Sequence, residues 1–187
     1  MCGIVGAVAQ RSVAPILIQG LQRLEYRGYD SAGVAVIDDL AQIQRRREVG
    51  KVANLSNNLA ASPVMGSVGI AHTRWATHGA VEEHNTHPHM SGDELAVVHN
   101  GIIENYLTLR EELTAAGYVF ASDTDSEVVA HLVHSCLGEK GLLDAVRQAL
   151  KRLEGAYAIA LCWKNQPTRI VATRSGCPLV VGKGLSL

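Results

Sequence analysis

No stretch of this sequence approaches the roughly 20 consecutive apolar residues that a membrane-spanning helix needs. The first arginine, Arg11, follows the apolar start instead of preceding it, which is the wrong order for a secretory signal. An excess of positive charge is also missing: Lys+Arg total 17 against 18 Asp+Glu, a net charge of -1. A chain with no such excess is not expected to hold a nucleic acid. Its one basic run, Arg45 to Arg47, lies in an expected strand and reads as a solvated face. Cysteines are scattered (Cys2, Cys136, Cys162, Cys177), with neither a CxxC pair nor a dense framework. That usage suits the reducing cytoplasm better than a disulfide scaffold, and three of the four read as core thiols. Linkers rich in Pro or Ser, low-complexity tracts and internal repeats are all lacking, so residues 1–187 are expected to form one domain.

What is present is a mixed set of strand and helix patterns. Gly3 to Ala9 is a short run of small apolar residues that reads as a buried strand near the terminus. A helix is expected from Ser12 as N-cap, with Pro15 in its first turn and Val13, Ile16, Leu17, Leu21 and Leu24 on one face. Gly33 to Ile37, Ile43 to Val49, Ser67 to Thr73 and Leu95 to His99 read as strands, and Val52 to Leu59 as a helix. Further helices are expected over Glu104 to Ala116, after the capping-box pattern Thr124 to Glu127, and over Leu142 to Leu153. Tyr118 to Ala121, Ala156 to Trp163, Arg169 to Thr173 and Leu179 to Val181 complete the expected strands. Without a regular βαβ alternation, an α+β layered sandwich fits this order best.

Cys2 stands apart from the other cysteines by position. Removal of Met1 leaves a thiol and a free α-amine on one residue. An amine with a pKa of about 7.7 to 8.0 is a suitable acceptor for the thiol proton. The thiolate then attacks a carbonyl, dividing a difficult amide cleavage into two easier steps through a thioester. A second-position cysteine is otherwise a small buried hydrophobe. Polar residues gather just past two expected strands, in "HTRWATHG" and "HNGIIENY". Loops on a rigid scaffold converge on ligands in this way. Asn100 and Gly101 supply a side-chain amide and a backbone N–H for an oxyanion, although Asn-Gly is equally a tight-turn dipeptide. Arg74 suits an α-carboxylate because its fork binds bidentately. Asp125 suits an α-ammonium, or simply the start of a helix. His84, His87 and His89 share one loop with His78 and His99 nearby, yet no cysteine or carboxylate pair completes a familiar ligand spacing. Neither a metal nor a cofactor is expected.

Together, "MCGIVGAVAQ", "LQRLEYRGYDSAGVAV", "GIAHTRWATHG", "NTHPH", "VVHNGIIENY", "SDTDSEV" and "GAYAIAL" resemble the glutaminase domain of the glutamine–fructose-6-phosphate aminotransferase family. The resemblance implies a four-layer αββα sandwich of the N-terminal nucleophile hydrolase type, stopping short at its C-terminal end. It implies glutamine as substrate, Cys2 as nucleophile with its own amine as base, and Asn100 with Gly101 as the oxyanion hole. Arg74 and Asp125 would hold the two charges of glutamine, with Thr77 and His78 in a closing loop. Trp75 would gate ammonia passage, and Arg27 would steady the nucleophile. The ammonia acceptor, a sugar-phosphate isomerase unit, is expected to lie outside this chain, and dimer contacts with it. Other amidotransferases, such as the amidophosphoribosyltransferases, are the nearest rivals, and a glutamine-binding module without turnover is a further alternative.

Overall fold

Near-continuous burial along the central strands decides the architecture. The structure, a computed structural model, describes residues 2–184. Among the described residues, eight strands form two antiparallel sheets. The first holds β1 (Gly3–Val8), β2 (Ser31–Ile37), β3 (Ile43–Val49) and β4 (Val68–Arg74) in the order β1-β4-β2-β3. The second holds β5 (His89–Ser91), β6 (Leu95–Ile103), β7 (Gly155–Trp163) and β8 (Val171–Ser175) in sequence order. On the first sheet lie α1 (Ala14–Leu24) and α2 (Val52–Ala61); on the second lie α3 (Tyr106–Ala115), α4 (Ser126–Ser135) and α5 (Leu142–Leu150).

The central strands of each sheet, β2 and β4 in one and β6 and β7 in the other, are largely apolar on both faces, because both faces are covered. Val34 and Val36 of β2 and Ala71 of β4 pack with Val13, Leu17, Leu21 and Leu55 of the first helical layer. Val97 of β6 and Ile159 and Leu161 of β7 pack with Leu132, Val146 and other residues of the second helical layer. The intervening residues, Ala35, Ile70, Ala96, Val98, Ala160 and Cys162, form a third core between the sheets. This is the four-layer αββα arrangement, with period-two alternation sending neighbouring residues to opposite layers. Leu132 is fully buried, and truncating such a leucine to alanine typically costs about 2–5 kcal/mol.

Several local expectations are revised. The first helix starts at Ala14, with Val13 rather than Ser12 at its N-cap, because Pro15 sits at the first helical positions without needing an N–H partner. Helix α3 begins later, at Tyr106, and α5 ends at Leu150, before the expected Leu153. Tyr118 to Ala121 and Leu179 to Val181 are not strands; Val119, Val180 and Val181 are exposed and have no ladder to join. A short strand, β5, was not anticipated, since three residues carry too little pattern. The capping box before α4 does not form. Glu127 instead accepts from the N–H groups of Ala121 and Ser122 at 2.9 and 2.7 Å, fixing the approach to the helix.

The basic run also differs from its reading as a solvated face. Arg45 donates to the Pro88 carbonyl at 3.1 Å, and Arg47 donates to those of His84 and Thr86 at 3.2 Å each. These arginines tie the histidine-rich loop to β3. His87 and His89 are consequently buried rather than displayed, at 4% and 2% exposure.

Candidate active site

Where the inter-sheet core ends, its polar continuation begins. Val68 and Ile70 of β4 face the inter-sheet layer, so His72 and Arg74 follow on the same face. Ala96 and Val98 of β6 do likewise, and Asn100 follows them. These side chains, with Cys2 before β1, open onto a cavity of about 1060 Å³. All nine residues singled out from the sequence line it: Cys2, Arg27, Arg74, Trp75, Thr77, His78, Asn100, Gly101 and Asp125.

The Cys2 sulfur accepts the backbone N–H of Trp75 at 3.1 Å and lies 3.5 Å from the Trp75 carbonyl. Burial raises the thiol pKa above its ordinary value, while the Trp75 N–H pulls the other way. Burial thus favours the protonated thiol over the thiolate. Asn100 sends its Nδ2 to the Cys2 carbonyl at 3.4 Å, and its Oδ1 lies 2.8 Å from His72 Nε2.

Asn100 and Gly101 are not beyond a strand end, as expected, but inside β6, which runs on to Ile103 in register with β7. The turn reading of Asn-Gly fails for the same reason. Gly101 has φ +124°, and a Cβ there would stand 2.0 Å from the Ala156 carbonyl oxygen. Only glycine lets β6 pass this close to β7 while opening toward the cavity.

Arg74 is the last residue of β4, and the loop it introduces folds back over it. Its guanidinium donates to the carbonyls of His78, Gly79 and Ala80 at 2.6, 3.2 and 3.2 Å. Asp30, just before β2, lies 3.6 Å from it and also accepts the Ala76 N–H. Thr77 is exposed in that loop and His78 half-buried, while the Trp75 ring packs over Gly28 beside Arg27. Asp125 is buried at the N-cap of α4, but does not cap it. Its Oδ2 accepts the Ile103 N–H at 2.8 Å, leaving Oδ1 near Ser126 Oγ (3.4 Å) and His78 Nδ1 (3.9 Å).

Three residues escaped the sequence reading. Asp30 lies inside the quoted motif "EYRGYDSAG", and nothing in that spelling marks it as the partner of Arg74. His72 and Asn85 were hidden among other histidines and loop residues. Asn85 donates to Ala80 O at 3.2 Å and accepts the Asp123 N–H at 2.8 Å, linking the Arg74 loop to the approach of α4. Two of the three thiols read as core also need revision. Cys162 is buried, and burial pushes it up to about 12. Cys136 is half-buried, and Cys177 lines the cavity with its sulfur 4.0 Å from the Asn100 carbonyl. Among the described residues, no group of three or more His, Cys, Asp or Glu is arranged to hold a metal ion, and no helix is long and apolar enough to cross a membrane.

Comparison with known proteins is consistent with this geometry. Residues 72–183 match the model of the glutamine amidotransferase domain family. The chain is 62% identical over 186 residues to a glutamine–fructose-6-phosphate aminotransferase (isomerizing) of Pseudomonas aeruginosa, and 59% identical over 186 residues to that of Acinetobacter baylyi. Each alignment covers 99% of this chain but 30% of the relative's length. Among solved structures, the glutamine phosphoribosylpyrophosphate amidotransferase of B. subtilis superposes with TM-score 0.74 at 28% identity, over 88% of this chain and 35% of that one. A structure described as the allosteric regulatory enzyme of purine biosynthesis gives TM-score 0.75 at 30% identity, over 88% and 36%. Sequence identity thus favours the aminotransferases over the phosphoribosyl enzymes, whose likeness is in the shared sandwich. By its sequence and by its αββα frame, that of the N-terminal nucleophile hydrolases, the chain belongs to the glutamine amidotransferase domain family.

Proposed function

We propose that residues 1–187 form one glutaminase domain, which cleaves the side-chain amide of L-glutamine through a thioester on Cys2. The observation that carries this reading is the convergence of Cys2, Asn100, Gly101, Arg74 and Asp125 on one cavity. Once Met1 is removed, the α-amine of Cys2 takes the thiol proton and returns it to the departing ammonia. Burial favours the protonated thiol, and this supports a role for the amine as its base. As the carbonyl oxygen gains charge, the Asn100 amide and the Gly101 N–H supply hydrogen bonds that strengthen in the transition state. Water then releases glutamate from the thioester.

Arg74 takes the α-carboxylate with its planar fork, exchanging some of its bonds to the loop carbonyls of residues 78–80, and Asp125 takes the α-ammonium with Oδ1. Thr77 and His78 close over the substrate on the same loop. Trp75, whose backbone touches the nucleophile, governs ammonia passage, and Arg27 steadies the nucleophile region. In the whole protein, of which this chain corresponds to 30% of each relative's length, the ammonia passes to a sugar-phosphate isomerase unit that converts fructose 6-phosphate to glucosamine 6-phosphate. The reading sets this chemistry in the cytoplasm with no cofactor, metal, membrane or nucleic acid, and assigns dimer contacts to the full-length protein.

The test is incubation of the purified chain with an electrophilic glutamine analogue, followed by peptide mass mapping. A single adduct at Cys2, together with glutamate release from glutamine by the unmodified chain, is the expected result. Glutamine binding with neither adduct nor turnover would replace the enzyme with a binding module.

A further inference from the structure

His72 and Asn100 belong to different sheets, and each is the first polar residue after the inter-sheet core on that face of its strand. His72 is 1% exposed, lies across from Ile4 and Gly33 in the sheet register, and is backed by the His87 ring at 4.1 Å between centroids. Its Nε2 is 2.8 Å from Asn100 Oδ1.

The hydrogen-bonding roles follow from what each atom is able to do. The Cys2 carbonyl oxygen only accepts, so the Asn100 atom facing it at 3.4 Å is the amide nitrogen. The amide oxygen therefore faces His72, and because it too only accepts, the imidazole carries its proton on Nε2. Burial holds the ring neutral, with its pKa lowered to about 3, so this N–H is the one the ring possesses. His72 Nδ1 makes no hydrogen bond of good geometry among the described residues, although the His99 backbone lies close enough to the ring to favour its protonation, against the larger effect of burial.

An asparagine amide has a broad, nearly two-fold torsion, and by itself does not distinguish its oxygen from its nitrogen end. Turned over, Asn100 would present a lone pair to the position where negative charge develops. We propose that His72 is a positioning residue, whose Nε2–H locks Asn100 with its Nδ2 toward the reacting carbonyl. This rests on the reading of Asn100 as an oxyanion donor. Because the oxyanion exists only along the reaction, loss of the lock is expected in kcat and not in KM for glutamine.

The experiment compares the full chain with H72Q, H72N, N100A and the double variant H72Q/N100A by steady-state glutaminase kinetics. The amide nitrogen of Gln reaches the place of imidazole Nε2, whereas that of Asn reaches the place of Nδ1. Both variants carry the same functional group into the same buried layer, so a general effect on folding strikes them alike; circular dichroism and analogue labelling at Cys2 verify folding. H72Q is expected to keep kcat within about 5-fold of the parent, and H72N to lose about 10- to 100-fold at unchanged KM, as a fraction of the full loss of an oxyanion donor. Adding N100A to H72Q is expected to give the kcat of N100A alone. Equal kcat for H72Q and H72N beside an impaired N100A would overturn the positioning role while sparing the oxyanion reading. A kcat for N100A equal to the parent's would instead remove that reading, and this inference with it.

Discussion

Asp30 lies 3.6 Å from the guanidinium of Arg74 and, with its other carboxylate oxygen, accepts the N–H of Ala76, two residues further along the chain. One acid thus fixes both the side chain that ends β4 and the loop that departs from it. Arg74 is 3% exposed and Asp30 19%, so solvent does little to weaken their attraction.

Substituting Asp30→Ala leaves a buried guanidinium without its carboxylate and an N–H without its acceptor. The loss in stability is expected to be about 3 kcal/mol, the lower end of the range for broken buried pairs, because Asp30 retains some solvent. Asp30→Asn keeps an acceptor for Ala76 and is expected to cost about half as much. Urea unfolding of the three chains would measure this, and equal midpoints would remove Asp30 from the role.

Retention of Met1 converts the Cys2 amine into an amide nitrogen without basicity. A chain whose N-terminus is verified as methionine is expected to lose on the order of 10²- to 10⁴-fold in glutaminase rate, the usual contribution of a positioned base. Full activity in such a sample would rule out the amine as the proton acceptor.

His72, His87, His89 and His99 are all buried, and burial is the leading cause that lowers each below its ordinary value. The unfolded chain takes up these protons as pH falls below about 6.5, and the folded chain resists them until far lower pH. Stability is therefore complete above the unfolded value and falls as pH drops through it. All four groups act in the same direction, so their effects on stability add as pH falls. Chemical unfolding at pH 7 and pH 5 gives the comparison, and equal free energies would contradict this account.

Gly101→Ala forces a Cβ to within 2.0 Å of the Ala156 carbonyl at φ +124°, so β6 and β7 must separate. A cost above about 3 kcal/mol is expected, with loss of turnover. Gly92→Ala is the control: it also has positive φ, +54°, but nothing within 4 Å, and about 1 kcal/mol is expected. Thermal unfolding of both variants distinguishes steric collision from backbone preference alone.

The long strands and helices were legible because their burial repeats over enough residues to average out local accident. β4 and α1 were expected within a residue or two of their observed bounds. β6 was cut short at His99, because Asn-Gly signals a turn locally while pairing with β7 overrides it from nearly 60 positions away. The capping pattern before α4 misled for a similar reason. Asp125 and Glu127 have the spelling of a cap, but backbone N–H groups of Ile103, Ala121 and Ser122 reach them first.

The sequence by itself determined the layered α+β class and marked Cys2, Arg74, Asn100 and Asp125 as residues whose functional groups suit the proposed chemistry, since these follow from periodicity and from functional-group chemistry. Only the tertiary structure decided how those residues are held. Asp30 meets Arg74, and His72 meets Asn100, across separations of 44 and 28 positions, through sheet register and the stacking of one sheet upon another. A hydrogen bond depends on distance and direction in space, and the order of residues along the chain specifies neither until the layers have packed.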